Sequence, residues 1–251
     1  MTAHLFYVVP GLLDDGRPGS SVTLTGAEAR HAGGAMRLGP GDPILVADTA
    51  GRRAHGSVAA VDSHAVTVTV EQVEDVAAQR PELVLVQALA KGDRDTLAVQ
   101  TATELGVDAV VPWESERAIV RWRGTKEAKA RQKWADALHA AAKQARRARV
   151  PVLEPTVTGA KVRELVQEGT VVVVLHEEAT QGLTAADAGA WVEAERIVLV
   201  VGPEGGISAG ELDALTQAGA QLRLLGQNVL RSSTAGPAAI AVLQHLSLIH
   251  I

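Results

Sequence analysis

Hydrophobic and polar residues follow two different rhythms along this chain, and the first covers residues 1 to about 72. Short apolar runs there are separated by turns rich in Gly, Pro and Asp, at a spacing of roughly 8–12 residues. The runs are Leu5–Val9, Ser21–Leu24, Pro43–Ala47, Arg53–Val61 and Ala65–Val70. This pattern predicts a small β-barrel, interrupted by one short helix around Gly26–Met36. The polar stretch Glu71–Pro81 predicts a linker after it.

After Pro81 the rhythm changes to alternating strands and helices, which predicts an α/β domain over residues 80–251. The predicted strands are Leu83–Leu89, Ala109–Pro112, Thr170–Leu175, Ile197–Val201 and Leu222–Leu224. The predicted helices are Arg94–Leu105, Thr125–Arg147, Thr158–Gln167 and Thr234–Leu246. Thr170–Leu175 and Ile197–Val201 are nearly continuous β-branched runs, which are typical of parallel strands buried on both faces. We therefore expect two domains, a β-rich one over 1–72 and an α/β one over 80–251.

Composition narrows the class of protein. The chain has 251 residues, no cysteine and only six aromatic residues, so disulfides and thiolate metal sites are excluded. No apolar run approaches the roughly 20 residues of a membrane span, and no secretory signal opens the chain, so we expect a cytoplasmic protein. The apolar end Leu246–Ile251 resembles a cloning scar as much as a native terminus.

The charge is unevenly spread. The net charge of −5 argues weakly against a nucleic-acid partner, but the window from Arg117 to Arg149 holds eleven Lys or Arg and only two acids. A basic face on an acidic protein can bind phosphates, and it can equally be a solvated helix face.

A glycine loop follows one of the buried strands. Ile197–Val201 leads directly into Gly202-Pro203-Glu204-Gly205-Gly206, and Ser208 with Glu211 then matches a helix capping box. Glycines at the carboxyl end of a parallel strand let a ligand approach backbone amides, although a tight turn without a ligand has the same pattern. The loop matches neither the dinucleotide-binding nor the P-loop pattern.

Two further segments lie at predicted strand ends. In Leu222–Pro237 a strand, an apolar loop and a Ser/Thr-capped helix follow one another, and Leu225 with Val229–Leu230 could wall an apolar slot for adenine. His176 and two acids follow the strand of Val171–Leu175. They lack a third ligand for a metal, so a wall of a cofactor site or an ordinary loop is favoured there.

Together these segments resemble the SPOUT methyltransferase superfamily, and within it the bacterial 16S rRNA uridine-N3 methyltransferase family. Gly202–Gly206 is similar to its glycine loop, and Leu225–Ala235 to its segment L-G-x-x-I-L-R-x-E-T-A. Other matching pieces are Lys91–Arg94, Thr103–Val107, Ser115-Glu116-Arg117, Gln144–Arg147, and His31 with Met36-Arg37-Leu38 before Gly41-Asp42. The sequence departs from the pattern with Ser233 for a common Glu, Thr101 for a common Lys and Ala140 for a common acid.

The resemblance implies an N-terminal PUA-like β-barrel and a C-terminal α/β domain with a deep trefoil knot. It also implies S-adenosylmethionine as cofactor, a homodimer, and 16S rRNA, within the 30S subunit, as substrate. Neither a membrane nor a metal is implied. A ribose 2′-O methyltransferase of the same superfamily and a non-catalytic RNA-binding assembly factor are the alternatives.

On this resemblance, the expected cofactor-binding residues are Leu175, His176, Glu177, Gly202, Pro203, Glu204, Gly205, Gly206, Leu225, Gly226, Asn228, Val229, Leu230, Ser233, Thr234 and Ala235. For catalysis we expect Arg231 first and Arg117 second, because a cation can stabilise a uridine imide anion, with Glu204 as a candidate base. The expected RNA contacts are Arg37, Arg121, Arg123, Lys126, Arg131, Arg146, Arg147 and Arg149.

Overall fold

The computed structural model describes residues 3–248, without the side chains of 185, 186, 188, 247 and 248. Two compact units divide the chain, one of Met1–Ala78 with Ala142–Val150, the other of Gln79–Ala141 with Pro151–Ile251. The predicted boundaries of 1–72 and 80–251 differ from this division mainly at residues 142–150. Of the segment interpreted as a cloning scar, residues 249–251 lie outside the described range.

The first unit is built on a five-stranded half-barrel sheet. Its elements are β1 (His4–Tyr7), β2 (Ser21–Thr25), α1 (Gly26–Ala29) continuing as a π-helix (Arg30–Ala35), β3 (Pro43–Ala47), β4 (Arg52–Val61) and β5 (Ala65–Asp75). The strand order is β1-β3-β4-β5-β2, with β1 parallel to β3 and every other pair antiparallel. This mixed sheet agrees with the β-rich domain predicted for the N-terminal region. The linker prediction is wrong for residues 71–75, because β5 continues through them and Asp75 pairs with Arg52.

Residues 142–150 belong to the first unit because their small apolar side chains complete one of its clusters. Ala142 and Ala148 pack with Leu5, Tyr7 and Leu45. The Tyr7 hydroxyl donates a 2.7 Å hydrogen bond to the backbone carbonyl of Arg147, and burial raises the pKa of that phenol. No local sequence pattern could have shown this, since the two partners are 140 residues apart.

The second unit is an α/β domain around a parallel sheet. Its strands are β6 (Glu82–Ala88), β7 (Ala109–Glu114), β8 (Val152–Leu153), β9 (Val157–Thr158), β10 (Thr170–Leu175), β11 (Arg196–Val201) and β12 (Gln221–Arg223). Its α-helices are α2 (Arg94–Glu104), α3 (Thr125–Gln144, whose last three residues belong to the first unit), α4 (Ala185–Trp191), α5 (Ala209–Ala218) and α6 (Ser232–Leu248). The order is β12-β10-β11-β6-β7-β8, with β9 beside β7, and every pair is parallel.

The prediction that β10 and β11 are parallel strands buried on both faces is confirmed. In β10 and β11, Val173, Leu199 and Val200 have no exposed surface at all. The helix predicted over Thr158–Gln167 is present as a 3₁₀ helix over Gly159–Leu165. Strands β8 and β9 and helix α4 were not predicted, since they are too short for a periodic pattern. The trefoil knot remains a prediction from the resemblance.

Within the described part of the chain, no helix has the length and apolar character needed to cross a membrane.

Candidate active site

A cleft opens at the carboxyl ends of three neighbouring strands, β10, β11 and β12. Leu175 is the last residue of β10, and it is in register with Val201 of β11 on one side and Arg223 of β12 on the other. The three segments that the sequence singled out begin directly after these residues. Because parallel strands end at the same edge of a sheet, the fold brings all three segments together there.

One lobe of the cleft is mainly apolar, and the segment Leu225–Leu230 forms much of its wall. The lobe is lined by Leu175, His176, Glu177, Arg223, Leu224, Leu225, Gly226, Gln227, Asn228, Val229, Leu230 and Ala235. Among the described residues, no backbone N–H or carbonyl between Leu225 and Leu230 has a hydrogen-bond partner. Val229 is 80% exposed. A planar apolar ligand that needs backbone hydrogen bonds therefore suits this lobe.

The other lobe, called the polar lobe below, contains the glycine loop and the charged side chains of Arg94, Glu204 and Arg231. It is lined by Arg94, Leu175, His176, Glu177, Val201, Gly202, Pro203, Glu204, Gly206, Ile207, Val229, Leu230, Arg231, Ser232 and Ala235. This lobe has a cavity volume of about 410 Å³, which lies within the range of small-molecule sites. Arg94 donates a 3.0 Å hydrogen bond to the Glu204 carboxylate. The exposed Arg231 guanidinium, in contrast, has no partner in residues 3–248.

The glycine loop is fixed at both of its ends. The N–H of Gly206 donates to the carbonyl of Pro203, which closes a tight turn. At the start of α5, the Ser208 hydroxyl accepts from the backbone of Glu211 and the Glu211 carboxylate accepts from the backbone of Ser208. The predicted capping box is therefore confirmed, and it defines where the loop stops and the helix starts.

A second loop, residues 115–121, packs against the glycine loop. The Arg117 guanidinium donates a 3.3 Å hydrogen bond to the Gly205 carbonyl, and a Cβ at Gly205 would lie 3.3 Å from the Arg117 carbonyl oxygen. Glycine at 205 thus permits a close approach that a side chain would obstruct. Arg117 does not line the cleft, so from this position it can hold the glycine loop rather than touch a ligand beside it.

The wall made by β10 and β12 is braced by an ion pair. Arg223 donates from two guanidinium nitrogens, at 3.1 and 2.7 Å, to one oxygen of Asp187. These hydrogen bonds lower the pKa of the Asp187 carboxyl, with burial acting in the opposite direction. Asp187 also closes a capping box with Thr184 at the start of α4. Arg223 therefore lines the cleft as a positioned side chain.

Histidine 176 lines both lobes and is oriented by its own loop. Its ring Nδ1 accepts a 3.2 Å hydrogen bond from the backbone N–H of Glu178. That contact leaves the Nε2 atom as the ring donor in the neutral form. Among the described residues, no three His, Asp or Glu side chains are grouped closely enough to hold a metal ion.

The expected RNA-binding residues are distributed over both units. Arg37, Arg146, Arg147 and Arg149 belong to the first unit, and Arg121, Arg123, Lys126 and Arg131 to the second. Arg121 and Arg131 donate to backbone carbonyls of their own unit, and Arg149 donates to the carbonyl of Val76. Arg123 and Lys126 are exposed, and their side chains have no partner within residues 3–248. Of the four expected RNA contacts in the second unit, these two side chains are therefore the ones available to a phosphate.

Most of the expected cofactor residues line the cleft, but Gly205, Ser233 and Thr234 do not. Of the lining residues that sequence reasoning missed, four carry polar side chains: Arg94, Arg223, Gln227 and Ser232. Ser232 is 9% exposed, and its hydroxyl oxygen is buried without a partner in the described structure. Arg94 lies in one of the segments quoted for the family resemblance, which is the signal that could have found it.

Family models match nearly all of the chain beyond the first strand. One described as an RNA methyltransferase domain matches residues 78–244, and one described as an RNA methyltransferase PUA domain matches residues 24–71. The chain belongs to this RNA methyltransferase family. Its membership confirms the resemblance inferred from the glycine loop and from the Leu225–Ala235 segment.

Relatives in this RNA methyltransferase family match over most of their length. The chain is 40% identical to the ribosomal RNA small subunit methyltransferase E of Mycobacterium bovis, over 96% of this chain and 90% of that protein. It is 26% identical to the Bacillus subtilis protein of the same name, over 89% of each. The crystal structure of the Neisseria gonorrhoeae enzyme of that name, bound to S-adenosylmethionine, superposes with a TM-score of 0.82, at 28% identity and 98% coverage of both chains.

Proposed function

We propose that this protein uses S-adenosylmethionine to methylate 16S rRNA of the small ribosomal subunit, at N3 of a uridine. The observation that carries the proposal is the pairing of two lobes at one sheet edge. One offers the six residues Leu225–Leu230, whose backbone groups have no partner in the described part of the chain, beside apolar walls. The other offers a glycine loop and Arg231, whose side chain likewise has no partner there. The names of the relatives support the rRNA substrate, and the ligand of the Neisseria structure supports the cofactor.

The chain's residues fit this cofactor. The apolar lobe would hold adenine between Leu225 and Leu230, whose backbone N–H and carbonyl groups can bond its ring edge. The carboxylate of Glu177, exposed at the lobe, suits the hydroxyls of a ribose. When bound, S-adenosylmethionine supplies a methyl group on a sulfonium that is open to attack by a nucleophile.

The residues of the polar lobe would act on the acceptor base. Uridine N3 is protonated at neutral pH and must lose its proton as the new bond forms. The Arg231 guanidinium, which has no partner among the described residues, would stabilise the negative charge that develops on the carbonyl oxygens beside N3. For Glu204, the candidate base in the sequence, such a role would require the carboxylate first to leave Arg94. The walls of the cleft orient the two reactants and exclude water.

Recognition of the rRNA would use exposed cations and an extruded base. Arg123 and Lys126 would contact phosphates, and Arg37 would do so from the first unit. A uridine in a base pair hides its N3, so the target is expected to be unpaired or flipped out. Because Val229 and Leu230 line the cleft and are 80% and 37% exposed, we expect a second copy of the chain to cover them in a homodimer. We expect the enzyme to act in the cytoplasm, because its proposed substrate is ribosomal RNA.

A direct transfer assay tests the proposal. Purified protein and labelled S-adenosylmethionine are incubated with 30S subunits that lack the modification, and fully modified subunits serve as the control. Mass spectrometry of the digested 16S rRNA is expected to show one N3-methyluridine. A ribose methyl group would contradict the base specificity. Absence of transfer to naked and assembled RNA, together with no calorimetric binding of S-adenosylmethionine, would contradict the activity itself.

A further inference from the structure

Glu211 is a buried carboxylate that serves two elements at once. Glu211 is only 2% exposed. One oxygen accepts hydrogen bonds from the backbone N–H and the hydroxyl of Ser208, at 3.2 and 3.1 Å. The other oxygen accepts a 2.7 Å bond from the backbone N–H of Glu116, a residue 95 positions away. The helix cap uses only the first oxygen. The bond from the second oxygen to Glu116 therefore serves a different purpose, which is to hold the loop of residues 115–121.

The loop that Glu211 holds reaches back to the glycine loop. Glu116 is followed by Arg117, whose guanidinium donates to the Gly205 carbonyl at 3.3 Å. On the other side, Arg121 donates to the carbonyls of Ser115 and Glu116, at 2.6 and 2.8 Å. Residues 115–117 are thus held by Glu211 on one side and by Arg121 on the other. Because Arg117 contacts Gly205, the position of these residues influences the position of the glycine loop, which lines the cleft.

We propose that Glu211 is a positioning residue of the cofactor site, acting through Glu116 and Arg117 on the glycine loop. The inference rests on the proposed function for the identity of the cofactor. A glycine-rich loop has many accessible conformations, and fixing it before the ligand arrives removes an entropy cost from binding. Loss of the Glu211–Glu116 bond is therefore expected to weaken cofactor affinity without unfolding the domain.

The chain itself suggests the variant that separates the two roles of Glu211. In α4 an aspartate, Asp187, closes the same type of capping box with Thr184. Glu211→Asp therefore keeps the cap, but its carboxylate is one methylene shorter and withdraws from Glu116. The dissociation constant for S-adenosylhomocysteine, measured by calorimetry, is expected to rise about 3- to 10-fold, the effect of one hydrogen bond. The melting temperature is expected to stay within about 2 °C of wild type.

Ser208→Ala is the matched control, because it removes the hydroxyl that caps α5 and leaves the Glu211–Glu116 bond in place. Its melting temperature is expected to fall by about 2–4 °C, with a smaller change in S-adenosylhomocysteine affinity than in Glu211→Asp. Hydrogen exchange should show a faster Glu116 amide in Glu211→Asp and not in Ser208→Ala. The reverse pattern, with affinity following stability, would overturn the proposal.

A double-mutant cycle tests whether Glu211 acts through Arg117. Arg117→Ala alters an exposed side chain and should also weaken S-adenosylhomocysteine binding, and adding Glu211→Asp should weaken it no further. Additive effects, or an unchanged affinity in Arg117→Ala, would overturn the inference. If the wild type binds no S-adenosylhomocysteine, the proposed function fails. Hydrogen exchange of residues 202–206 then decides the positioning role, which requires faster exchange in Glu211→Asp.

Discussion

Arg94 and Glu204 form an ion pair within the polar lobe, with the guanidinium Nη1 3.0 Å from the carboxylate Oε1. Arg94 begins α2, and Glu204 lies in the glycine loop, 110 residues further along the chain. Both side chains remain partly exposed, at 47% and 38%. The carboxylate that the sequence offers as a base is therefore held by a cation before any substrate is bound.

This pairing leads to a prediction for Glu204→Gln. An amide still accepts a hydrogen bond from Arg94, and exposed ion pairs are each worth only about 0–1 kcal/mol. We therefore expect kcat/KM for methyl transfer to fall less than about 10-fold, with an unchanged pH profile. A general base would cost about 10²- to 10⁴-fold. A loss of that size, with one limb of the pH–rate profile removed, would assign the base to Glu204.

Arg231→Ala is expected to separate chemistry from cofactor binding. The guanidinium has no protein partner among the described residues, so its removal should leave the fold and the affinity for S-adenosylhomocysteine unchanged. The kcat should fall by about 10²- to 10³-fold, the cost of losing one donor to a developing anion. Arg231→Lys keeps the charge without the planar fork and should be intermediate. Full turnover in Arg231→Ala would remove this residue from the mechanism.

The parts of the fold that the sequence could predict are those with a local cause. Strands β10 and β11 follow from β-branched runs, and the start of α5 follows from Ser208 and Glu211, three positions apart. The two-residue strands β8 and β9 have no periodicity to detect. The walls of the cleft were predictable because each follows a strand end directly. The contacts of Glu204 with Arg94 and of Glu211 with Glu116 were not, because they join residues about a hundred positions apart.

The exposed cations Arg123 and Lys126 should determine the salt dependence of RNA binding. Each phosphate contact contributes about 0.7–0.9 to the slope of log K against log salt concentration. The double variant Arg123→Ala/Lys126→Ala is expected to weaken binding uniformly across RNA sequences and to lower that slope. Arg131→Ala is the control, since its guanidinium already donates to the Glu154 carbonyl and the Thr156 hydroxyl. A slope that is the same in all three proteins would contradict the assignment.

The Asp187–Arg223 ion pair predicts a loss of stability in acid. Because Arg223 lowers the folded-state pKa of Asp187, the stabilisation is complete above the unfolded-state pKa of about 3.9 and disappears as the pH falls through the lower folded-state value. Asp187→Asn should lower the free energy of unfolding at pH 7 by about 1.5–3 kcal/mol and flatten its dependence below pH about 4. Urea titrations between these pH values measure both effects. Asp213→Asn, on an exposed position of α5, should leave the pH dependence as in wild type.

Gly236 permits the closest approach of α6 to the sheet. A Cβ at this position would lie 2.7 Å from Leu85 Cδ1 and 3.2 Å from Leu85 Cδ2, on a side chain with no exposed surface that has little freedom to move aside. Gly236→Ala is therefore expected to push α6 away from β6 and to destabilise the domain by about 1–3 kcal/mol. In contrast, a Cβ at Gly210 of α5 would meet open space, so Gly210→Ala should stabilise the protein by about 0.5–1 kcal/mol. Chemical denaturation of both variants checks the pair. Because α6 starts at the cleft wall with Ser232, Gly236→Ala should also bind S-adenosylhomocysteine more weakly. Unchanged stability and unchanged affinity would show that the Leu85 side chain can move aside.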